Sequence, residues 1–231
     1  MVHNRLSMMS FQALIVCLSL GINHLFATGQ NPHEVRCLKK PDHSIHSLFV
    51  KRQSSYALDR THSAKQMANH LETLFEAARW APSSYNNQPW RYIYGIFGTT
   101  SWDRLMSLLV PFNQEWTSQA GALILVISKN TFDSGKPAPT HSFDTGLASA
   151  QLILQATHMG LVAHGMSGFD SDKARKLFAI PADYTVEAMI AIGQPAAKGK
   201  SRKEFVERDA KPAVRKKLSE ITGDGAFPTG S

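Results

Sequence analysis

The sequence predicts an α+β domain in which one sheet is wrapped by helices. Segments with helical spacing of apolar residues alternate along the chain with short apolar runs typical of strands. One long segment, 143–159, is apolar on most sides and predicts a buried central helix. The chain has 231 residues, of which 43% are hydrophobic, which is ample for a sizeable core.

The first helix of this domain is marked at both ends. Ser63, followed three residues later by Gln66, matches a capping box. Pro82 ends the helix because its ring cannot be accommodated in a helix interior. Between these points apolar residues recur at helical spacing, namely Met67, Leu71, Leu74, Phe75 and Ala78.

The later elements are predicted from the same signals, helical spacing of apolar residues and the apolar patterns of strands. Residues 91–98 alternate like a half-buried strand, and 102–109 predict a short helix. The continuous apolar run 121–128 is typical of a strand covered on both faces. After the long helix, the patterns predict a strand end, a surface helix and another buried strand, at 163–168, 171–178 and 185–193.

Residues 1–47 differ from the rest and are interpreted as a leader or disordered arm before a domain at 48–231. The apolar run 11–26 resembles a signal peptide, so export or membrane tethering is the alternative to the cytoplasmic location that we expect. The run is short for a membrane span, and no stable membrane association is expected.

Charge and cysteine content limit the partners. The net charge is +7, and residues 198–217 hold nine Lys or Arg against three acids. This cluster is either a solvated basic tail or a site for a small anion. Nucleic acid is not expected, since no basic helix with interleaved aromatics is present. Cys17 and Cys37 both precede the domain, so neither a disulfide framework nor a metal site is expected.

The polar stretch after Pro82 is the main candidate for a ligand site. Small residues there allow a backbone to approach a flat ligand closely, and Ser and Asn side chains supply donors and acceptors without bulk. The order of a helix, APSSYNNQPWR and an aromatic strand resembles the nitroreductase family of FMN-dependent NAD(P)H oxidoreductases. The resemblance runs from about Leu48 to Ile221 and implies a mainly antiparallel sheet with the long helix in a dimer interface.

The resemblance also implies an FMN site in a homodimer. KRQSSYALD matches the segment that holds the FMN phosphate and ribityl chain, and KPAVRKKLSEI matches the closing segment of the family. The loop after the first helix lines the flavin from the partner subunit, an asparagine meets its polar edge, and AHGMSGFD reaches N5 and O4 through backbone N–H groups. The implied cofactor-binding residues are Arg52, Gln53, Ser54, Pro82, Ser83, Ser84, Asn86, Asn113, Ser167, Gly168 and Arg215.

Two positions depart from the family pattern. Tyr56 stands where members usually have Arg or Lys near N1 and O2 of the flavin, and Trp116 stands where some place a Lys. Subfamily variation explains both departures as well as altered chemistry does. A neutral side chain at 56 stabilises an anionic reduced flavin less than a cation does. The expectation is therefore a lower flavin potential than in a Tyr56→Arg variant, by about 30 mV.

The implied reaction takes a hydride from NADH or NADPH to FMN, and then reduces a nitroaromatic, quinone or similar electron-poor acceptor by a ping-pong mechanism. No catalytic side chain is predicted, and His164 is interpreted as a satisfied core group. The alternatives are a flavin-binding carrier or sensor without turnover, and a different flavin enzyme on the same fold, such as an enal reductase or dehalogenase.

Overall fold

The computed structural model describes residues 41–228, which fall within a single unit of the chain. The predicted signal-like run 11–26 lies outside the described residues. Seven α-helices lie within the described part: α1 (Ser47–Lys51), α2 (Ala64–Arg79), α3 (Thr100–Met106), α4 (Pro111–Thr117), α5 (His141–His158), α6 (Ser171–Leu177) and α7 (Lys203–Asp209). The strands are β1 (Leu58–Asp59), β2 (Trp90–Ile96), β3 (Ala122–Lys129), β4 (Val162–Met166) and β5 (Tyr184–Pro195).

The five strands form one sheet in the order β1-β5-β3-β2, and β4 also pairs with β5. Every pairing between these strands is antiparallel. The strand β5 is long enough for β4 to pair with its middle and β1 with its end, at Pro195. The predicted α+β class with a mainly antiparallel sheet is thereby confirmed.

The helix α2 begins and ends as the sequence predicts. Ser63 Oγ accepts from the Gln66 backbone N–H at 3.3 Å, and Gln66 Oε1 accepts from the Ser63 backbone N–H at 2.9 Å. This reciprocal pair satisfies two of the donors that a helix N-terminus leaves free. The helix ends at Arg79, three residues before Pro82.

The sheet separates two hydrophobic cores, because side chains alternate between its faces. On β3, Leu123 and Leu125 point to the first core, whereas Ile124 and Val126 point to the second. The first core includes apolar residues of α3, α4, α6 and α7. The second is covered by α2 and α5.

Within one chain, α5 is buried along a single face. Asp144, Ala148 and Leu152 lie on that face, whereas Phe143 is 68% exposed. The sequence places apolar residues on most sides of this helix, so one copy of the chain leaves some of them exposed. These exposed apolar side chains are available for an interface with another copy.

Four elements were not predicted, the first of them the five-residue helix α1. The helix α4 begins with Pro111 at its first position, which favours a helix start, yet its short polar sequence has no strong period. The strand β1 is two residues long, and α7 lies in the basic cluster that was interpreted by its charge alone. Within residues 41–228, no helix is long and apolar enough to cross a membrane.

Candidate functional site

The segment 52–57, which joins α1 to β1, carries three of the predicted phosphate and ribityl contacts. Arg52 caps α1, since its backbone N–H donates to the Leu48 carbonyl at 3.1 Å. Its Nη1 donates to Ser54 Oγ at 3.1 Å. Gln53 is half-buried and Ser54 is exposed. The three predicted side chains therefore lie together in one short stretch of backbone.

Arg215 brings a second positive charge to this segment from the C-terminal part of the chain. Burial lowers the pKa of Arg52, and the charge of Arg215 lowers it further. Two cations that act on each other in this way repel, and an anion bound between them would remove that repulsion. A phosphate dianion fits such a pair, because a guanidinium can donate two parallel hydrogen bonds to phosphate oxygens.

Two side chains from other elements hold the backbone of this segment. Asp209, at the end of α7, accepts from the backbone N–H groups of Tyr56 at 2.8 Å and Ala57 at 3.0 Å. On β4, His164 Nδ1 lies 3.1 Å from the Ser55 carbonyl oxygen. A carbonyl oxygen only accepts, so Nδ1 is assigned the proton and donates.

The ionisation of these two groups follows from their surroundings. Burial lowers the pKa of His164, while the hydrogen bond to Ser55 and the charge of Asp209 oppose this shift and the charge of Arg52 adds to it. Burial raises the pKa of Asp209, while the two backbone donors and His164 oppose the rise. His164 and Asp209 thus bind two consecutive peptide groups, 55–56 and 56–57.

A chain of contacts connects this segment to the second predicted group of site residues. The His164 ring stacks on Trp116 with centroids 4.4 Å apart, and Trp116 is fully buried. Trp116 Nε1 donates to Asn113 Oδ1 at 3.0 Å, and Asn113 Nδ2 donates to the Gly168 carbonyl at 2.9 Å. Trp116 therefore has a structural part here, at the position where some family members have a Lys.

Asn113 and Gly168 contact each other closely, while Ser167 is exposed beside them. A Cβ atom on Gly168 would lie 2.5 Å from Asn113 Nδ2, a distance that side chains do not tolerate. Glycine is thus required by the approach of the amide. Because both polar ends of the buried Asn113 bind within the protein, this residue fixes the position of the 167–168 backbone.

The Tyr56 ring packs into an aromatic group. Its centroid lies 4.8 Å from that of His164, 5.4 Å from that of Trp116 and 5.9 Å from that of Phe112, all edge-on. Arg208 stands 5.7 Å from the Tyr56 ring centroid and 4.8 Å from that of Phe112. The structure therefore places a cation next to the residue at which the family usually has one.

The backbone of β4 is open on the opposite face of the strand. Gly165 is exposed between the buried residues His164 and Met166. Among the described residues, no heavy atom lies within 4 Å of the position that a Cβ on Gly165 would take. A flat ligand can therefore approach this stretch of backbone next to Ser167 and Gly168.

The loop 82–88 has a strained backbone that side chains hold in place. Tyr85, Asn86 and Gln88 have positive φ angles of 51°, 55° and 48°. For residues other than Gly or Asn, this region costs roughly 1–2 kcal/mol each. Ser83 Oγ accepts from the Gln88 backbone N–H at 3.0 Å, and the Tyr85 side chain is 93% exposed.

Asp144 anchors this loop to the first turn of α5. Asp144 Oδ2 accepts hydrogen bonds from the Ser84 backbone N–H at 3.0 Å and from Thr140 Oγ1 at 3.1 Å. Asp144 itself is only 4% exposed. Sequence reasoning gave Asp144 no role. An acid in a first helical turn is common, and its link to a loop 60 residues away leaves no local signal.

The loop and the 52–57 segment lie at opposite corners of the sheet. The loop leads into Trp90, which pairs with Ser128, and Ser128 pairs with Thr185 at the start of β5. The 52–57 segment leads into Leu58, which pairs with Pro195 at the end of β5. At about 3.3 Å per residue the two ends of β5 are roughly 30 Å apart. One chain therefore brings Arg52, Arg215, Asn113 and Gly168 into one region but keeps the loop away from it.

Among residues 41–228, no group of three or more His, Cys, Asp or Glu side chains is arranged to hold a metal ion.

Comparison with known proteins relates this geometry to a family. The model of the nitroreductase family matches residues 50–94 and 102–194. The chain belongs to the nitroreductase family. A crystal structure of an oxidoreductase containing FMN is 36% identical to this chain, with a TM-score of 0.76, and the match covers 84% of this chain and 97% of that chain.

Two curated relatives agree with the family assignment. Protein DrgA of Synechocystis sp. is 29% identical over 183 residues, covering 67% of this chain and 86% of that protein. A Rhodopseudomonas palustris protein named "Putative NADH dehydrogenase/NAD(P)H nitroreductase" is 28% identical over 153 residues, covering 56% of this chain and 74% of that protein. The resemblance expected from the sequence is confirmed at the level of family and fold.

Proposed function

We propose that this member of the nitroreductase family is an FMN-dependent oxidoreductase that uses NADH or NADPH to reduce nitroaromatic, quinone or similar electron-poor acceptors. The observation that carries the proposal is the 52–57 segment, in which Arg52 Nη1 donates to Ser54 Oγ at 3.1 Å and the charge of Arg215 acts on Arg52. The similar oxidoreductase at 36% identity contains FMN, which supports the choice of anion. When bound, FMN supplies the redox chemistry, taking a hydride from NAD(P)H and passing electrons to the acceptor.

The residues of this chain bind and orient the cofactor. Arg52 and Arg215 hold the phosphate through charge-assisted hydrogen bonds, with Gln53 and Ser54 beside them. The Ser167 and Gly168 backbone meets the polar edge of the ring system, at a position fixed by Asn113. The open backbone at Gly165 leaves room for the flat ring itself.

We infer that two copies of the chain are needed to complete each site. The loop Pro82, Ser83, Ser84 and Asn86 lies roughly 30 Å along the sheet from the phosphate segment of its own chain, so a second copy must supply it. Exposed apolar side chains near the loop and on α5 support such an interface, namely Trp80, Tyr85 and Phe143. A two-fold dimer then contains two equivalent sites.

An absorbance spectrum followed by an anaerobic titration with NADH or NADPH tests the proposed reaction. The purified protein is expected to be yellow, to be bleached by the reduced nicotinamide, and to recover its colour on addition of a nitroaromatic or quinone. A yellow protein that neither nucleotide bleaches would instead be a flavin carrier or sensor. A colourless protein that takes up no FMN would contradict the proposal.

A further inference from the structure

We propose that Asp209 and His164 are positioning residues that set the phosphate preference of the flavin site, by holding the 55–57 backbone that follows Arg52 in the same segment. This inference rests on the proposed FMN function. It concerns two side chains that are distant in sequence from the segment they hold, 153 and 109 residues away at their hydrogen bonds to Tyr56 and Ser55.

The geometry constrains two consecutive peptide groups, 55–56 and 56–57. The Asp209 carboxylate uses one oxygen for the Tyr56 N–H at 2.8 Å and the other for the Ala57 N–H at 3.0 Å. The His164 ring binds the preceding carbonyl, that of Ser55, at 3.1 Å. A backbone held by three hydrogen bonds at two successive peptide groups has little freedom, so the side chains just before it extend from a fixed position.

Electrostatic interactions connect this pair to the arginines. The charge of Arg52 lowers the pKa of His164, and the charge of Arg215 lowers the pKa of Arg52. The charge of His164 in turn opposes the rise that burial causes in the pKa of Asp209. Arg208 adjoins Asp209 on α7 and lies over the Tyr56 ring. Both oxygens of the Asp209 carboxyl accept from backbone N–H groups of this segment. We therefore assign Asp209 the role of holding this segment in place.

Binding of FMN and riboflavin can distinguish a positioning role of Asp209 and His164 from a role in stabilising the core. Riboflavin has the ring system and ribityl chain of FMN but lacks the phosphate. If the pair holds the phosphate segment, its loss weakens FMN binding much more than riboflavin binding. If the pair only stabilises the fold, its loss weakens both ligands equally.

The experiment measures Kd for FMN and for riboflavin with wild-type protein and with Asp209→Asn and His164→Phe variants. The amide of Asn presents one acceptor and one donor to two N–H groups, so one of them loses its partner. Phe keeps the ring packing against Trp116 and Tyr56 but lacks the nitrogen that binds Ser55. Kd for FMN is expected to rise about tenfold in each variant, and Kd for riboflavin less than about threefold.

Asp183→Asn is the matched control. Asp183 is also half-buried, and its carboxylate accepts a hydrogen bond from Thr131 Oγ1 at 2.7 Å. It differs in position, because it lies beside Tyr184 at the opposite end of β5. This substitution should leave the ratio of the two Kd values unchanged. Equal weakening of both ligands by Asp209→Asn and His164→Phe, or an unchanged ratio in both, would overturn the inference while leaving the proposed function intact. A wild-type protein that binds neither flavin would overturn both. If Asp209→Asn does not fold, the His164→Phe ratio decides.

Discussion

Asn113 donates a hydrogen bond to the carbonyl of Gly168 at 2.9 Å, across 55 residues of sequence, and leaves no room for a side chain at position 168. The contact joins α4 to the end of β4. It therefore links the first core of the domain directly to the backbone that we assign to the flavin edge.

A Gly168→Ala substitution is expected to weaken FMN binding, since its methyl group would displace the Asn113 amide. We expect a loss of stability of about 1–3 kcal/mol and a raised Kd for FMN. Urea unfolding and fluorescence titration measure the two effects. In an Asn113→Ala background the same substitution should cost less, because the clashing atom is gone. Additive effects in this double-mutant cycle would contradict the contact.

The Arg52→Ala and Arg215→Ala variants are each expected to lose one charge-assisted contact to the phosphate. Such a contact contributes about 1.5–3 kcal/mol, or roughly tenfold to a hundredfold in Kd. Isothermal titration with FMN measures the change. Arg202→Ala is the control, since Arg202 belongs to the same basic cluster but pairs with Glu115 at 3.0 Å. If either variant at 52 or 215 retains wild-type affinity, that residue does not bind phosphate.

An Asp144→Asn substitution is expected to loosen the loop 82–88, because the carboxylate holds the Ser84 N–H in a strained stretch of backbone. We expect a loss of about 1–3 kcal/mol in unfolding free energy and faster hydrogen exchange at Ser84. The control is Asp172→Asn, an exposed acid in the first turn of α6. Unchanged exchange at Ser84 would show that other contacts suffice to hold the loop.

The structure changes the expectation for Tyr56. The sequence alone predicts that Tyr56→Arg raises the flavin potential by about 30 mV. In the structure Tyr56 packs against His164 and Trp116, and Arg208 already places a charge beside it. We therefore expect a shift well below 30 mV together with reduced stability. Spectroelectrochemical titration decides between the two, and a rise of about 30 mV or more would restore the expectation from the sequence.

The elements with strong local signals were predicted from the sequence. The capping box at Ser63 and Gln66 and the apolar run of β3 depend on neighbours a few residues apart, which the sequence displays directly. The candidate site residues carried by motifs, such as Arg52 and Gly168, are proposed through the family resemblance.

The contacts that organise the site could not be predicted in this way. Asp209 meets Tyr56 across 153 residues, and Asp144 meets Ser84 across 60. A pairing of this kind depends on how elements pack and leaves no periodic trace. The positive φ of Tyr85 could not be predicted for a related reason. A bulky residue keeps this conformation only where the surrounding structure holds it.

The central claim is that each FMN site is built from two copies of the chain, and mixed dimers test it most directly. One chain carries Arg52→Ala and the other carries Asp144→Ala, with two affinity tags used to isolate the mixed dimer. One site then carries both defects and the other carries neither, so the account predicts one tight FMN site per dimer with wild-type affinity. Each parent homodimer should show two weakened sites. A mixed dimer without any wild-type site would mean that the loop and the arginine act within the same chain, and would contradict the account.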